Sequence, residues 1–337
     1  MASHTPSDTP RRGIEDGPHP HDHVVDPQLS AVLATDTYDT IHDVVECLRR
    51  QTIRDRIELV LVGPAAGHLE KVLAVRHEFA GVQVIEHPLT SLGTARAAGI
   101  RSAKAPIVFI GETHTYAEPR LAEKLLAAFD GPWTTVTPAI GNENPENALS
   151  WAAFLSDYGI WGDGLPAGAM ERVPIHNTAY RRSVLLDFGD RLADALSRDD
   201  ELWESLRRLG HRSYFEPQAR LNHANVSRPW PWVQERFHIG LQVASQRVRR
   251  WPLSRRLLYL AASVLIPVVL TRRVLPGVRR AGQRQRLPLA TLPLVATGMI
   301  IWATGEVAGY LGFSGAAADR WMLEFEVRKL AYTGRGS

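Results

Sequence analysis

Short apolar runs alternate with helix-period segments from Leu29 to about Thr137, and this alternation limits the fold more than any other feature of the chain. Helical segments around 68–79 and 92–103 separate the later runs. Repeated strand and helix units with crossovers of this length predict an α/β fold, in which helices flank a mostly parallel sheet. The apolar runs that predict its strands are Leu29–Ala34, Ile57–Val62, Val82–Ile85 and Pro106–Ile110.

We expect ligand binding and catalysis at the edge of this sheet where the strands end. In sheets built from such units, ligands bind outside the carboxyl ends of the strands. The segments that follow Ala34, Val62 and Ile110 are therefore the first places to look for functional side chains.

The middle of the chain is less regular. Residues 138–176 are rich in Gly, Pro, Asn and Trp and show little periodicity. A long irregular stretch inside a compact domain is typical of a binding loop, and we expect one here. Regular structure is predicted to return with a helix near 198–209 and a short strand at Ser213–Phe215, which ends at Pro217.

Length and composition fit one large domain with an appendage in the 337 residues. Residues 1–26 lack an apolar run and predict a disordered tail. We expect a domain at 27–231 that carries the sheet, and a C-terminal helical, membrane-associated region at 232–330. The formal charge of +3 gives no reason to expect nucleic-acid binding, and the single cysteine, Cys47, excludes an internal disulfide framework.

Two apolar segments near the C-terminus raise the question of a membrane. Leu257–Leu270 has 14 residues, including Pro267, which is short of the about 20 that cross a bilayer. Leu287–Phe313 is long enough to cross and is interrupted by Glu306. Residues 271–286 between them carry six arginines and no acid, which favours a first segment that dips into the cytoplasmic leaflet. A buried helical hairpin of a soluble protein is the alternative.

Two polar side chains follow the strand that ends at Ile110. Glu112 and His114 are two positions apart, so in extended backbone their side chains share one side. A carboxylate and an imidazole so placed can ligate one divalent metal ion, and His223 could reach the same site from far downstream. Taken alone, each histidine is more often a hydrogen-bonded polar residue than a metal ligand.

Acidic side chains begin the helix predicted near 198–209. The segment Arg198-Asp199-Asp200-Glu201-Leu202 places three acids at its N-terminus. Acids there commonly cap the free amides and oppose the helix dipole. One of them facing the strand-end cleft would instead be a candidate general base.

Six motifs in order resemble the family 2 glycosyltransferases of the GT-A fold, over roughly residues 28–240. Individually they are unspecific, but their order along the chain is that of the family. They are Cys47-Leu48-Arg49-Arg50-Gln51-Thr52 with the strand Ile57–Val62, Thr94–Ile100, Glu112-Thr113-His114, Asn177–Arg182, Asp199-Asp200-Glu201-Leu202, and Gly210-His211 with Tyr214–Pro217 and His223.

The resemblance implies a chemistry and a set of site residues. It implies transfer of a sugar, with inversion, from a nucleotide-diphosphate sugar donor, with a divalent metal, Mn or Mg, bound by Glu112, His114 and His223. Asp199 matches the catalytic acid of the family by register. The donor side would involve Arg96 and Glu112, and the acceptor side would involve Asn177, Trp151 and Asp200.

The chain also departs from the family pattern. After the second strand the family carries paired aspartates that hold the nucleotide base, but here residues 63–67 contain no acid. Thr35 and Asp36, after the first strand, are the replacement candidates for the base or ribose. A histidine also stands where the metal motif usually ends in aspartate.

Three functions remain open on the sequence. The first is a glycosyltransferase at the cytoplasmic face of the cell membrane, with a lipid-linked or cell-envelope glycan as acceptor. The second is a non-catalytic membrane adaptor built on a degenerate glycosyltransferase domain. The third, a nucleotidyltransferase, lacks the Gly-rich, Lys-bearing phosphate loop expected near the first strand.

Overall fold

The computed structural model describes residues 26–197, 199–249 and 251–334, and of Asp199 and Asp200 it describes the backbone alone. The predicted tail, 1–26, lies outside these residues except for Asp26. The division of the chain at residue 231 stays a prediction.

One mixed sheet forms the centre of the molecule, in the order β3-β2-β1-β4-β8-β6-β9-β5, with β7 paired to β9. The pairs among β1 to β4 are parallel, whereas β8 is antiparallel to both of its neighbours. The predicted α/β class is confirmed: β1 to β4 form one parallel part of the sheet, and β6 and β9 form a second parallel pair. The strands are β1 (Leu29–Ala34), β2 (Ile57–Gly63), β3 (Gly81–Glu86), β4 (Ile107–Ile110), β5 (Thr115–Ala117), β6 (Thr135–Asn142), β7 (Gly168–Met170), β8 (Thr178–Arg181) and β9 (Ser213–His223).

Helices cover the sheet because β1 and β2 are apolar on both faces and every residue of both strands is buried. Short 3₁₀ turns connect several of the elements. The α-helices are α1 (Tyr38–Arg49), α2 (Leu92–Ser102), α3 (Leu121–Ala128), α4 (Ala148–Asp157), α5 (Arg182–Leu186), α6 (Leu192–Ala195), α7 (Asp199–Arg208), α8 (Pro229–Val248), α9 (Leu253–Ala261), α10 (Ile266–Arg284), α11 (Thr291–Leu311) and α12 (Gly315–Val327).

The helix predicted around 68–79 is a 3₁₀ helix, Glu70–Glu78, rather than an α-helix. Leu69 and Val72 are its buried apolar contacts. Their spacing of three residues is the repeat of the 3₁₀ helix, in which side chains at i and i+3 eclipse. The segment therefore packs with one narrow row of side chains.

The prediction that residues 138–176 are irregular was wrong over α4. Asn147 caps this helix, since its side chain accepts hydrogen bonds from the amides of Leu149 and Ser150. Seven of the ten helical residues are buried. A helix that is apolar around most of its circumference has no periodic pattern to detect.

The strand predicted at Ser213–Phe215 continues through Pro217 to His223. Its pairing with β6 shifts register between Pro138 and Ala139, which pair with Glu216 and Arg220. Pro217 thus lies in an irregularity, where a missing backbone N–H costs no ladder hydrogen bond. The extension is what brings His223 to the end of the sheet.

The C-terminal helices pack on the sheet domain and on one another through small residues. A Cβ atom on Gly240 of α8 would lie 2.1 Å from the carbonyl oxygen of Trp302 in α11, and one on Gly305 would lie 2.1 Å from that of Phe237. Trp321 of α12 stacks on His238 of α8, with ring centroids 4.4 Å apart. These contacts place α12 beside α8.

Within the described part of the chain, two helices are long and apolar enough to cross a membrane, judged by length and composition. Leu253–Arg284 comprises α9, α10 and the turn between them. It is mostly exposed, since only 6% of its most apolar stretch is buried. Thr291–Leu311 is 44% buried against the rest of the chain. The first predicted apolar segment is therefore part of a longer helix. Pro267 lies in the first turn of α10, where proline is tolerated.

Candidate metal centre

Glu112, His114 and His223 converge at the carboxyl end of the sheet. Glu112 follows β4, His114 precedes β5, and His223 ends β9. The two Nε2 atoms lie 3.1 Å apart, and Glu112 Oε2 lies 3.5 Å from His223 Nε2 and 3.8 Å from His114 Nε2. All three side chains are buried. One atom of each residue can thus ligate the same metal ion.

The proton of His223 is fixed by Asn225. The Nδ2 atom of Asn225 donates to Asn142 Oδ1 and to the His223 carbonyl, so its Oδ1 is the atom that faces His223 Nδ1, at 2.9 Å. An amide oxygen only accepts, so Nδ1 carries the proton and Nε2 presents a lone pair to the centre. A hydrogen bond of this kind is typical of metal-binding histidines.

The carboxylate of Glu112 is held from the opposite side. Asn177 Nδ2 donates to Glu112 Oε2 at 2.6 Å, and the Tyr158 hydroxyl donates to the same atom at 3.1 Å. Asn177 has φ of +58°, a left-handed conformation that Asn adopts more readily than most residues. Asn177 therefore orients Glu112, while its predicted contact with an acceptor stays a prediction.

Burial controls the charges of the three side chains. It raises the pKa of Glu112, although Lys329 and Arg96 act in the opposite direction. It lowers the pKa of His114 and His223 well below the usual range, with a further lowering from Lys329. Both imidazoles are therefore neutral. Two neutral imidazoles and one carboxylate are a set of ligands that suits a divalent metal ion.

Residues of the C-terminus also reach this centre, and sequence reasoning missed them. Glu326 Oε2 of α12 lies 3.7 Å from His114 Nε2. Lys329 Nζ lies 3.2 Å from Glu326 Oε1 and 3.8 Å from Glu235 Oε1 of α8. No motif marks them, because the candidate membrane helices separate them from the rest of the site. Asn225 was missed as well, although its position two residues after His223 is a signal that the sequence offers.

Arg96 of α2 is buried near the same carboxylates, and its predicted place on the donor side stays a prediction. Its side chain is 7% exposed, and its Nε atom has no hydrogen-bond partner among the described residues. Its positive charge favours the ionised forms of both Glu112 and Glu326. A buried guanidinium with an unused donor is suited to an anionic ligand.

The residues predicted to hold the base lie at the end of β1. Thr35 is buried, and its hydroxyl donates to the Thr37 carbonyl at 3.1 Å. Asp36 Oδ1 accepts hydrogen bonds from the Thr37 amide and the Thr40 hydroxyl. One oxygen of Asp36 is thus used to start α1, and base recognition by either residue stays a prediction.

Trp151 lies in the core. It is 3% exposed, its Nε1 donates to the Pro145 carbonyl at 2.8 Å, and its ring packs edge-to-face on Phe154. A ring covered in this way has no free face for a sugar, so its position does not support the predicted acceptor contact.

The side chains of Asp199 and Asp200 lie outside the described residues, and their predicted roles stay predictions. The chain leading to them is packed against α2. A Cβ atom on Gly93 of α2 would lie 2.0 Å from Ser197 Oγ, so only glycine permits this approach. Gly93 is three residues from Arg96, which brings the start of α7 near the helix that carries Arg96.

No family model matches the sequence, and no curated protein matches it. Among solved structures, the chain is similar to the mannosyltransferase PcManGT from Pyrobaculum calidifontis in complex with GDP-Man and Mn²⁺, with a TM-score of 0.50 and 18% identity over 93% of this chain and 91% of that one. The chain has a GT-A glycosyltransferase fold. The metal centre lies at the carboxyl end of the parallel part of this GT-A sheet.

Two further solved structures are less similar to this GT-A chain. GalNAc-T7 with UDP, GalNAc and Mn²⁺ has a TM-score of 0.44 and 16% identity, over 58% of this chain and 44% of that one. TarS 1-349 from S. aureus in complex with UDP has a TM-score of 0.43 and 13% identity, over 85% of this chain and 91% of that one. Likeness at this level does not establish a shared fold.

Proposed function

We propose that this protein is a metal-assisted glycosyltransferase that uses a nucleotide-diphosphate sugar as donor. The observation that carries the proposal is the buried Glu112, His114 and His223 centre at the carboxyl end of a GT-A sheet. PcManGT, which has the same fold, is described in complex with GDP-Man and Mn²⁺. Mn²⁺ or Mg²⁺ is therefore the cation we propose for this centre.

A divalent cation held by these three residues would neutralise charge that develops on the leaving diphosphate. Arg96, buried and with an unused donor, would pair with the same diphosphate. Asn177 and Asn225 keep Glu112 and His223 in position for the cation. These residues would together position the diphosphate of the donor.

Asp199 is the proposed general base. The acceptor hydroxyl oxygen attacks the anomeric carbon of the donor sugar and forms the new glycosidic bond. The bond from that carbon to the diphosphate oxygen breaks, and the hydroxyl proton passes to the Asp199 carboxylate. Direct displacement of this kind inverts the configuration at the anomeric carbon.

We propose attachment to the cytoplasmic face of the cell membrane through α9, α10 and α11. Large apolar side chains of α9 and the following turn are exposed, including Leu258 at 64% and Val264 at 77%. Arginine pairs at 255–256 and 272–273 flank this surface and suit anionic headgroups. A catalytic domain at a membrane surface favours a lipid-linked or cell-envelope glycan as acceptor.

Calorimetry of the full chain in detergent tests the proposal, with GDP and UDP as ligands in the presence and absence of MnCl₂. Nucleotide binding that requires Mn²⁺, followed by hydrolysis of a matching nucleotide sugar, is the expected result. Absence of binding in both conditions would instead favour a non-catalytic membrane adaptor, the reading suggested by the missing acids after β2.

A further inference from the structure

The C-terminal segment that carries Glu326 and Lys329 is hydrogen-bonded to residues beside the metal centre. The amide of Ser227 donates to the Tyr332 carbonyl at 2.9 Å, and Asn144 Nδ2 donates to the Thr333 carbonyl at 3.1 Å. Asn144 Nδ2 also donates to the carbonyl of Asn225, the residue that orients His223. The segment is therefore held beside one of the metal-binding histidines.

Aromatic stacking fixes the same segment to α8. Trp321 stacks between His238 and Phe325, and Phe325 stacks on Tyr332 with ring centroids 5.3 Å apart. The Lys329 ammonium lies over the Phe325 ring at 5.5 Å. The backbone of Lys329 is thus held in place. Lys329 is 5% exposed, and its ammonium faces the metal centre rather than solvent.

The Glu326 carboxylate bridges a cation and the metal centre. Lys329 Nζ donates to both carboxylate oxygens, at 3.2 and 3.4 Å, and the second of these oxygens also lies 3.7 Å from His114 Nε2. A diphosphate bound to a metal at this centre must make the same two kinds of contact, one oxygen to the metal and another to a cation. Glu326 therefore has the position and charge of a diphosphate oxygen.

Charge balance points the same way. A divalent cation beside His114 would lie close to Lys329 and to buried Arg96, and like charges at such distances in a buried site repel strongly. Only an anion between them makes the arrangement favourable. Glu112, Glu235 and Glu326 supply three negative charges here. The metal ion, Lys329 and Arg96 would carry four positive ones, so a nucleoside diphosphate supplies the charge that is still missing.

We propose that Lys329 binds the donor diphosphate and that Glu326 holds this place until the donor arrives. The inference rests on the proposed function, because it assumes a diphosphate donor. On donor binding the Lys329 ammonium exchanges the Glu326 carboxylate for a phosphate oxygen and keeps Glu235 as its second partner. No covalent bond changes in this exchange.

Calorimetry of full-length Lys329→Gln in detergent with saturating MnCl₂ tests the inference, with GDP, UDP and inorganic pyrophosphate as probes. The dissociation constant of the nucleotide that wild type binds, and that of pyrophosphate, should both rise roughly 10-fold or more. Lys104→Gln is the control, since Lys104 is exposed and precedes β4 at the opposite edge of the sheet. Its dissociation constants should match wild type.

Glu326→Gln gives a second and opposite expectation. Removing the competing carboxylate charge should tighten diphosphate binding at saturating MnCl₂. Mn²⁺ binding in the absence of nucleotide should weaken, as measured by electron paramagnetic resonance, because Glu326 no longer offsets the charges of Lys329 and Arg96. Weaker diphosphate binding by Glu326→Gln at saturating MnCl₂ would overturn the exchange. This variant retains the Lys329–Glu235 pair, so it decides the matter even where Lys329→Gln fails to fold.

The outcomes separate the two proposals. If wild type binds neither GDP nor UDP with Mn²⁺, the proposed function is overturned, and this inference with it. If wild type binds and a folded Lys329→Gln binds equally well, the inference alone is overturned. Weaker nucleotide and pyrophosphate binding by Lys329→Gln, with Lys104→Gln unchanged, supports it.

Discussion

The Nε2 atoms of His114 and His223 lie 3.1 Å apart, although 109 positions separate the two residues in the chain. His223 presents a lone pair there, because Asn225 fixes its proton on the other ring nitrogen. Two imidazoles that face each other beside a buried carboxylate can hold a metal ion, and this contact is the basis of the first prediction.

Substitution of His114 by Ala should weaken Mn²⁺ binding more than substitution of Asn225 by Leu. Loss of a residue that orients a metal ligand typically costs about 10–100-fold in affinity, and loss of the ligand itself costs more. Mn²⁺ titration followed by electron paramagnetic resonance measures both. His42→Ala is the control, since His42 is exposed on α1. Equal Mn²⁺ affinity in wild type and His114→Ala would exclude His114 as a ligand.

Asp199→Asn should abolish sugar transfer and leave metal-dependent nucleotide binding intact. An amide cannot accept the acceptor hydroxyl proton, whereas the donor contacts assigned to Arg96 and the metal centre do not involve this side chain. Transfer assays and calorimetry on the same preparation separate the two effects. Glu204→Gln, an exposed acid further along α7, is the matched control and should retain transfer. Full activity of Asp199→Asn would remove Asp199 from the role.

Arg236→Met should destabilise the fold by about 3–5 kcal/mol, because it leaves carboxylates without their cation. Arg236 is fully buried and donates to both oxygens of Asp157 at 2.8 and 2.6 Å, which joins α8 to α4. Urea denaturation followed by circular dichroism gives the free energy of unfolding.

An exposed ion pair provides the control for Arg236→Met. Lys71 and Asp39 are 2.8 Å apart, and both side chains are largely exposed. Lys71→Met should change the free energy of unfolding by about 0–1 kcal/mol. A comparably small effect of Arg236→Met would mean that the Asp157 contact contributes little to packing of α8.

Leu258→Glu combined with Val264→Glu should weaken binding to anionic phospholipid vesicles. Both side chains are exposed on the surface proposed to face the membrane, and each apolar side chain inserted into lipid contributes roughly a tenfold affinity or more. Vesicle co-sedimentation measures the change. Leu209→Glu is the control, because Leu209 is 66% exposed directly after α7. Unchanged sedimentation of the double variant would argue against membrane contact by this surface.

The first half of the fold was predictable, because a parallel sheet covered on both faces leaves continuous apolar runs in the sequence. Leu29–Ala34 was predicted with the bounds that β1 has, and Ile57–Val62 differs from β2 by one residue. α4 was missed because a buried helix lacks polar and apolar faces. The end of β9 was missed because Pro217 is tolerated only where the register shifts, which sequence does not reveal.

The candidate metal centre was predictable in its ligands but incomplete in its surroundings. Glu112 and His114 are adjacent in sequence and follow a strand, so local pattern finds them. His223 was found through the order of motifs. Glu326 and Lys329 reach the centre only through packing of α12 on α8, a tertiary contact that leaves no local pattern.

The position of Glu326 and Lys329 along the chain has a consequence for biosynthesis. Both residues are translated after α9, α10 and α11, the helices proposed to contact the membrane. The pocket around His114 is therefore unfinished while those helices emerge from the ribosome. Nascent chains therefore acquire a complete centre only after the helices proposed to contact the membrane have been made.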